Sequence, residues 1–437
     1  MNTKYESMKT FYYHLLTVLI IFTVNTTKTT CYASVNDNFK NKAIEAFKNE
    51  DYKKAVDILN IAIENGIEDA ETYYYLGYFT HYMLYDSKPL IKENHIGYSD
   101  NVIEYLEKAI SLDPDLRNVY SIIGIEYGAR AHFAMYQDDK DKHIQSYKYG
   151  YEKGGFPDWQ IEFGRNILKS CENNAIVFLG GDFDYNAVRY LQTIENYRSD
   201  VTAIPIGHLD RPWFIKILKN GFDPLVREAP ISLSKYDIDD MRNYKWDTLL
   251  IEIPVDEGLI EKYGLETGYS MKWTLEPDLK SERRTYLSPR RALLADIIIT
   301  NKWERPIHFA LGILPKFRAG LDDFLQVYGM THKLLPFETK GTNHYINPEA
   351  LSGIMLDERN FTHFKTIEFK DIPRDSYILN NYYSSLIELA VFYYENSQNE
   401  RLNDIINFIE NHLTTSKLDY DRYLSYIKEL SRTKIDF

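Results

Sequence analysis

Two carboxylates two residues apart, Asp182 and Asp184, follow the glycine pair Gly180-Gly181, and they are the first residues of this chain whose types and spacing suit chemistry. On a turn they can share a hard divalent cation with further oxygen ligands, or accept hydrogen bonds from sugar hydroxyls. The same spacing suits a structural duty, in which Asp184 caps the following helix and Asp182 holds the turn through its own backbone. Carboxylates at a helix start disfavour phosphate, which prefers bare backbone N–H groups there. His208 and Asp210 close a later apolar run. With Asp182 they would form an acid–imidazole cluster able to hold a metal or move a proton, although a lone turn histidine is also an ordinary hydrogen-bonded residue.

A second group is Asn301, Trp303 and Arg305, ahead of Pro306 and an apolar run holding His308. An arginine beside a tryptophan can stack and bind a ligand carboxylate, or it can pair internally to fix the turn before a strand. Asn301 suits a helix end, and His308, between Ile307 and Phe309, suits a satisfied buried histidine or the opposite face of the strand. The sequence has no phosphate-binding lysine loop, dinucleotide fingerprint, nucleophile elbow, HExxH or EF-hand pattern.

The elements that must position these residues are legible around them. Ala175 to Leu179 is a short apolar run that suits a strand buried on both sides, and Ala187, Val188, Leu191 and Ile194 then recur at helical spacing. Strand, glycine turn and helix make the first half of a βαβ unit, whose ligands gather past the carboxyl ends of strands. Asp200 to Ile206 reads as a second strand, Pro212 opens a helix, Leu249 to Val255 is a third strand, and Ser288-Pro289 starts another helix before a strand over Ile307 to Ile313. The alternation predicts a mostly parallel sheet covered on both faces over residues 171–346.

Residues 34–170 repeat instead. Ala55, Leu59 and Ala62 share a helix face after Phe39 and Ala43, and about 34 residues on Tyr73, Leu76 and Gly77 take the places of Phe39, Lys42 and Ala43. Val102, Leu106, Ala109 and Pro114 recover the second-helix pattern after an insertion from Pro89 to Tyr98, and a third start lies at Tyr120, Ile123, Gly124 and Tyr127. This is similar to the tetratricopeptide repeat, in which small residues let antiparallel helices approach, and it predicts a partner-docking surface. Residues 347–437 return to amphipathic helices over Tyr377 to Tyr394, Leu402 to Leu413 and Tyr420 to Leu430.

The net charge of -13 argues against nucleic acid. Lys4 and Lys9 precede an apolar run from Phe11 to Val24, shorter than the roughly 20 residues of a membrane span, and residues 1–33 read as a signal peptide with cleavage after Ala33. The expected location is the periplasm or cell envelope, with no transmembrane segment after the signal. Cys31 and Cys171 are the two cysteines, so no internal disulfide is expected once the signal is removed.

Several phrases also carry a family likeness: Gly181-Asp182-Phe183-Asp184, Tyr190-Leu191-Gln192, Arg198-Ser199-Asp200-Val201, Trp213-Phe214-Ile215, Pro230-Ile231, and Asn301 to Ala310. In this order they resemble the soluble carboxyl-terminal region of a family of bacterial multi-spanning membrane proteins, of uncharacterised role and related to protein O-mannosyltransferases. Helical repeats often accompany that region. The likeness covers Cys171 to Phe337 and implies an envelope location and a link to glycan assembly. The family's turn usually reads Gly-Asp-Asn-Asp-Thr, from which Phe183 and Tyr185 depart, and its membrane part with the acidic residue of sugar transfer has no counterpart here. Two functions follow: an exported binding or scaffold protein with a glycan ligand and a protein partner, or an envelope hydrolase or glycan-processing enzyme using Asp182, Asp184, His208 and Asp210. No cofactor is expected beyond a divalent cation at these carboxylates.

Overall fold

The computed structural model describes residues 35–84, 100–364, 378–413 and 420–432. The expected signal peptide and the insertion from Pro89 to Tyr98 lie outside them. Seven helices come first: α1 (Val35–Lys48), α2 (Tyr52–Glu64), α3 (Ala70–Leu84), α4 (Asp100–Leu112), α5 (Asn118–Tyr136), α6 (Lys140–Glu152) and α7 (Asp158–Ser170). Aspartates start three of them, Asp51 accepting from the Lys54 N–H, Asp69 from the Thr72 N–H and Asp139 from the Lys142 N–H. Each helix through α6 packs on the next, giving an array of helical hairpins. The residues spaced for the seams (Ala55, Leu59, Ala62, Leu76, Val102, Leu106 and Ala109) are fully buried.

Glycine sets the closest approach. A Cβ on Gly124 of α5 would lie 2.2 Å from the Gly155 carbonyl oxygen, so the helix rests on the backbone of the loop after α6. Gly124→Ala is expected to cost about 2 kcal/mol, since overpacking against backbone outweighs the better helix propensity of alanine. Urea denaturation would measure it; unchanged stability would show that the loop yields freely.

The α/β unit follows, with β1 (Ile176–Leu179), α8 (Asp182–Ile194), β2 (Thr202–Pro205), α9 (Pro212–Asn220), α10 (Lys235–Asp239), β3 (Tyr244–Lys245), β4 (Leu249–Pro254), α11 (Glu257–Tyr263), β5 (Ser270–Leu275), β6 (Leu279–Ser281), β7 (Arg284–Leu287), α12 (Pro289–Asn301), β8 (Ile307–Ala310), β9 (Leu325–Tyr328) and β10 (Thr331–Leu334). The main sheet runs β2-β1-β8-β10-β9. β1 is parallel to both β2 and β8, with Val177 opposite Ala203 and His308. Alternate residues of β1 enter two cores: Ile176 and Phe178 join Phe214, Leu293 and Ile297, while Val177 and Leu179 join Ala187, Val188 and Leu191. The chain therefore leaves β1 over one face through α8 and returns to β8 over the other through α12, which makes the gap between β1 and β8 the topological switch point.

Two expectations need refinement. β10 pairs antiparallel with β8 and with β9, so the sheet is parallel on one side and antiparallel on the other. The strand expected over Leu249 to Val255 forms, but outside this sheet, as a ribbon with β5. Ile253 is its one buried residue, while Leu249 and Leu250 are about half exposed, so it lacks the two-sided burial of a central strand.

Four helices close the described chain: α13 (Pro348–Met355), α14 (Asn380–Glu395), α15 (Asn399–His412) and α16 (Tyr420–Arg432). The last three pack on one another, and α13 bridges them to α7. One apolar core runs from Val102 through the β1 face to Leu430. Among the described residues no helix is long and apolar enough to cross a membrane.

Candidate functional site at the carboxyl edge of the sheet

The turn after β1 is organised by Asp184. Its carboxylate accepts from the Gly180 N–H (2.7 Å), the Gly181 N–H (2.9 Å) and the Tyr185 N–H (2.9 Å). Burial pushes its pKa up to about 6 in spite of these three donors. Asp182, one position into α8, has a different setting. Solvent reaches its side chain, yet enough protein surrounds it that burial raises its pKa, with His81 and Arg211 pulling it back. Among the described residues it makes no hydrogen bond or ion pair.

Asp182 lines a recess of about 260 Å³ at the switch point. Gly180 and Gly181 after β1, Gly312 after β8, and Gly124 and Gly155 of the helical array make its glycine walls, with Tyr82, Phe156 and Phe183 as aromatic lining. The array thus forms one side of the site and the sheet edge the other.

His208 and Asp210 lie past β2 and are buried. The His208 ring sits 4.7 Å from that of His132 on α5 and 5.2 Å from that of Phe214. Burial, then the nearby His132, Arg211 and Arg290, hold its pKa well below the usual imidazole value. Among the described residues its Nδ1 has no hydrogen-bond partner. Asp210 accepts from Arg290 Nη2 at 2.7 Å, which fastens the turn after β2 to the start of α12; burial raises its pKa against the pull of Arg290 and Arg211. Arg211 is thus within electrostatic reach of Asp182, His208 and Asp210 alike. Among the described residues no three His, Cys, Asp or Glu side chains converge to hold a metal ion.

The array adds polar groups that sequence reasoning passed over. His81 Nδ1 meets Glu126 Oε2 at 2.7 Å, Arg130 Nε donates to Glu126 Oε1 at 3.0 Å, and Arg130 Nη1 donates to Asp100 at 3.1 Å. The available signal was Glu126, Arg130 and His132 within a long helix that is otherwise mostly apolar.

Asn301, Trp303 and Arg305 stand at the opposite, amino-terminal edge of the sheet. Arg305 donates to the carbonyls of Asn174 (2.8 Å), Ala175 (3.1 Å) and Glu228 (2.8 Å) and to Thr202 Oγ1 (2.5 Å). Asn301 Nδ2 donates to the Arg305 carbonyl, while Lys302 and Trp303 take the left-handed backbone that reverses the chain between α12 and β8. The phrase that looked most like a ligand clamp grips the protein's own strand ends.

His308 is buried in β8, with Nδ1 2.8 Å from Thr331 Oγ1 and Nε2 3.6 Å from Glu172. Glu172 also meets the Lys333 ammonium at 2.5 Å. Burial alone would raise the Glu172 pKa, but the neighbouring His308 ring and the Lys333 ammonium outweigh it and bring it to about 2. A depressed carboxyl contributes stability above its unfolded value near 4.5, lost as pH falls toward 2. Acid titration of the folded protein is expected to show this loss, and Glu172→Gln to lack it; identical acid profiles would overturn the assignment. Cys171 is a free, buried thiol raised by burial to about 12, which makes it a poor nucleophile.

The fold and recess define a doubly wound α/β unit with a ligand-sized hollow at its switch point, enclosed by a helical array. Residues 160–244 and 243–350 match the family model described as TMEM260-associated domain 2. The match takes in α7, the main sheet, the recess turn and Arg305, and makes this part of the chain similar to a domain associated with a membrane-protein family. No curated protein and no solved structure matches the chain.

Proposed function

We propose that this chain is an exported envelope protein of the binding or scaffold kind, in which the switch-point recess holds a glycan and the tetratricopeptide-like array docks a protein partner. The single observation that carries this reading is the recess itself, with a solvent-reached, unengaged carboxylate at Asp182 beside aromatic walls. Such a mixture of apolar faces and one oriented polar group is what small-ligand sites are made of. Asp184 is committed to the turn and Asp210 to Arg290, which favours binding over the proton-transfer cluster. The likeness to a TMEM260-associated domain supports the glycan link.

Thermal melting of the mature protein with a panel of free hexoses, with divalent cations and with chelator tests the reading. A sugar is expected to raise the melting temperature of the wild type and not of Asp182→Ala. If no sugar stabilises either protein, the glycan-binding reading falls.

A further inference from the structure

The recess occupies the place where doubly wound folds often seat a phosphate, at the start of the helix after the first strand, but its chemistry is the reverse of a phosphate site. The Gly180 and Gly181 N–H groups, which would face an anion, are spent on the Asp184 carboxylate. Asp182 then places a negative charge in the first turn of α8, where an anionic ligand would otherwise gain from the helix dipole. None of the described residues lining the recess is lysine or arginine. What it offers a ligand is the Asp182 carboxylate, the neutral polar side chains of Ser121, Gln160 and Asn186, and the rings of Tyr82, Phe156 and Phe183.

We infer that the recess reads an unphosphorylated glycosyl residue through its hydroxyl donors, and rejects glycosyl phosphates. The chain then serves the acceptor or product side of glycan assembly rather than the activated phosphate donor. This rests on the glycan reading above and narrows it. A vicinal diol can donate two charge-assisted hydrogen bonds to one carboxylate while its apolar ring face lies on an aromatic wall. A phosphate ester in the same hollow meets the Asp182 carboxylate, and the Gly180 and Gly181 N–H groups are already taken by Asp184.

Gly181 supplies a steric control. Its backbone is extended (φ -170°), a conformation any residue adopts, and an added Cβ meets no heavy atom within 4 Å. Gly181→Val therefore places bulk at the recess without clashing with the fold.

The experiment is calorimetric titration of the full mature chain with matched pairs, the methyl glycoside and the 1-phosphate of glucose, galactose and mannose. At least one methyl glycoside is expected to bind at least tenfold more tightly than its phosphate partner. Asp182→Asn should weaken that glycoside by about tenfold, as expected for loss of the charge on a charge-assisted pair. Gly181→Val should abolish binding while lowering the melting temperature only slightly, valine being a poorer N-cap than glycine. A phosphate that binds as well as its glycoside overturns this inference and leaves the glycan reading standing. Silence from both members of every pair overturns the two together. Glycoside binding unaltered in both Asp182→Asn and Gly181→Val places the sugar elsewhere and also overturns it.

Discussion

Arg305→Ala is expected to lower the unfolding free energy by about 4 kcal/mol, the largest loss foreseen for any single side chain here. The guanidinium serves four acceptors, the carbonyls of Asn174, Ala175 and Glu228 and the Thr202 hydroxyl, and so ties the starts of β1 and β2 to the segment after α9 and to the entry of β8. Burial lowers its pKa to about 10, which leaves it charged at neutral pH. Truncation would strand the Asn174 carbonyl, at a cost of about 1–3 kcal/mol, and would leave the Ala175 and Glu228 carbonyls with only the Thr202 N–H and hydroxyl as donors. Arg305→Lys should recover little, because a single ammonium cannot reach across the fan that the planar fork spans. Urea denaturation of the three proteins decides the matter. A loss below about 1 kcal/mol for Arg305→Ala, or full recovery with lysine, would show that the clamp is incidental.

The second large effect belongs to Asp184. Asp184→Ala is expected to cost about 3 kcal/mol, because the Gly180 and Gly181 N–H groups at the exit of β1 lose their acceptor together and the Tyr185 N–H keeps only the Gly181 carbonyl. The pH dependence carries a sign that this carboxyl shares with Asp182 and Asp210 and that sets it against Glu172 and Asp200. Its folded pKa, about 6, is above the ordinary 3.8, so folding favours the protonated form. Its own contribution to stability therefore falls as pH rises from about 4 to about 6 and levels off beyond, while the buried His132, His143 and His208, whose pKa values burial lowers, contribute in the opposite sense. Glu172 and Asp200, both depressed to about 2, act in the opposite sense and below that window. Asp184→Asn keeps the shape and cannot ionise, so the stability of the wild type relative to this variant should fall between pH 4 and 6. A difference constant across that window would overturn the assignment.

Much of this was written in local pattern. The β1 run, the glycine break and the spacing of Ala187, Val188 and Leu191 specify a strand, a turn and a helix within some twenty residues, and prolines mark the starts of α9 and α12. The hairpin of β9 and β10 was not legible, since two four-residue strands about Gly329 carry too little periodicity to stand out. The division of labour between Asp182 and Asp184 was open in the sequence. Two positions on a helix are about 200° apart, so one carboxylate turns back to the backbone and the other outward, and only the packed turn decides which. Arg305 drew notice as an unusual phrase, but Asn174 and Thr202 lie 131 and 103 residues away, and no local spacing encodes such partners. The array's share of the recess was hidden for the same reason: Gly124 and Tyr82 reach Asp182 only through the stacking of whole helices.

The continuous core from Val102 to Leu430 bears on how such a region can be inherited. A segment excised at residues 160 and 350 would carry the sheet but leave its α7 and α8 side without α5, α14 and their neighbours, baring Tyr185 and Val188 to water. It would also remove the wall formed by Tyr82 and Gly124, so the hollow would become an open shelf. The matched stretch is therefore no free-standing cassette. Shuffled into another polypeptide, it would have to bring its helical companions along or find substitutes for them in the new host.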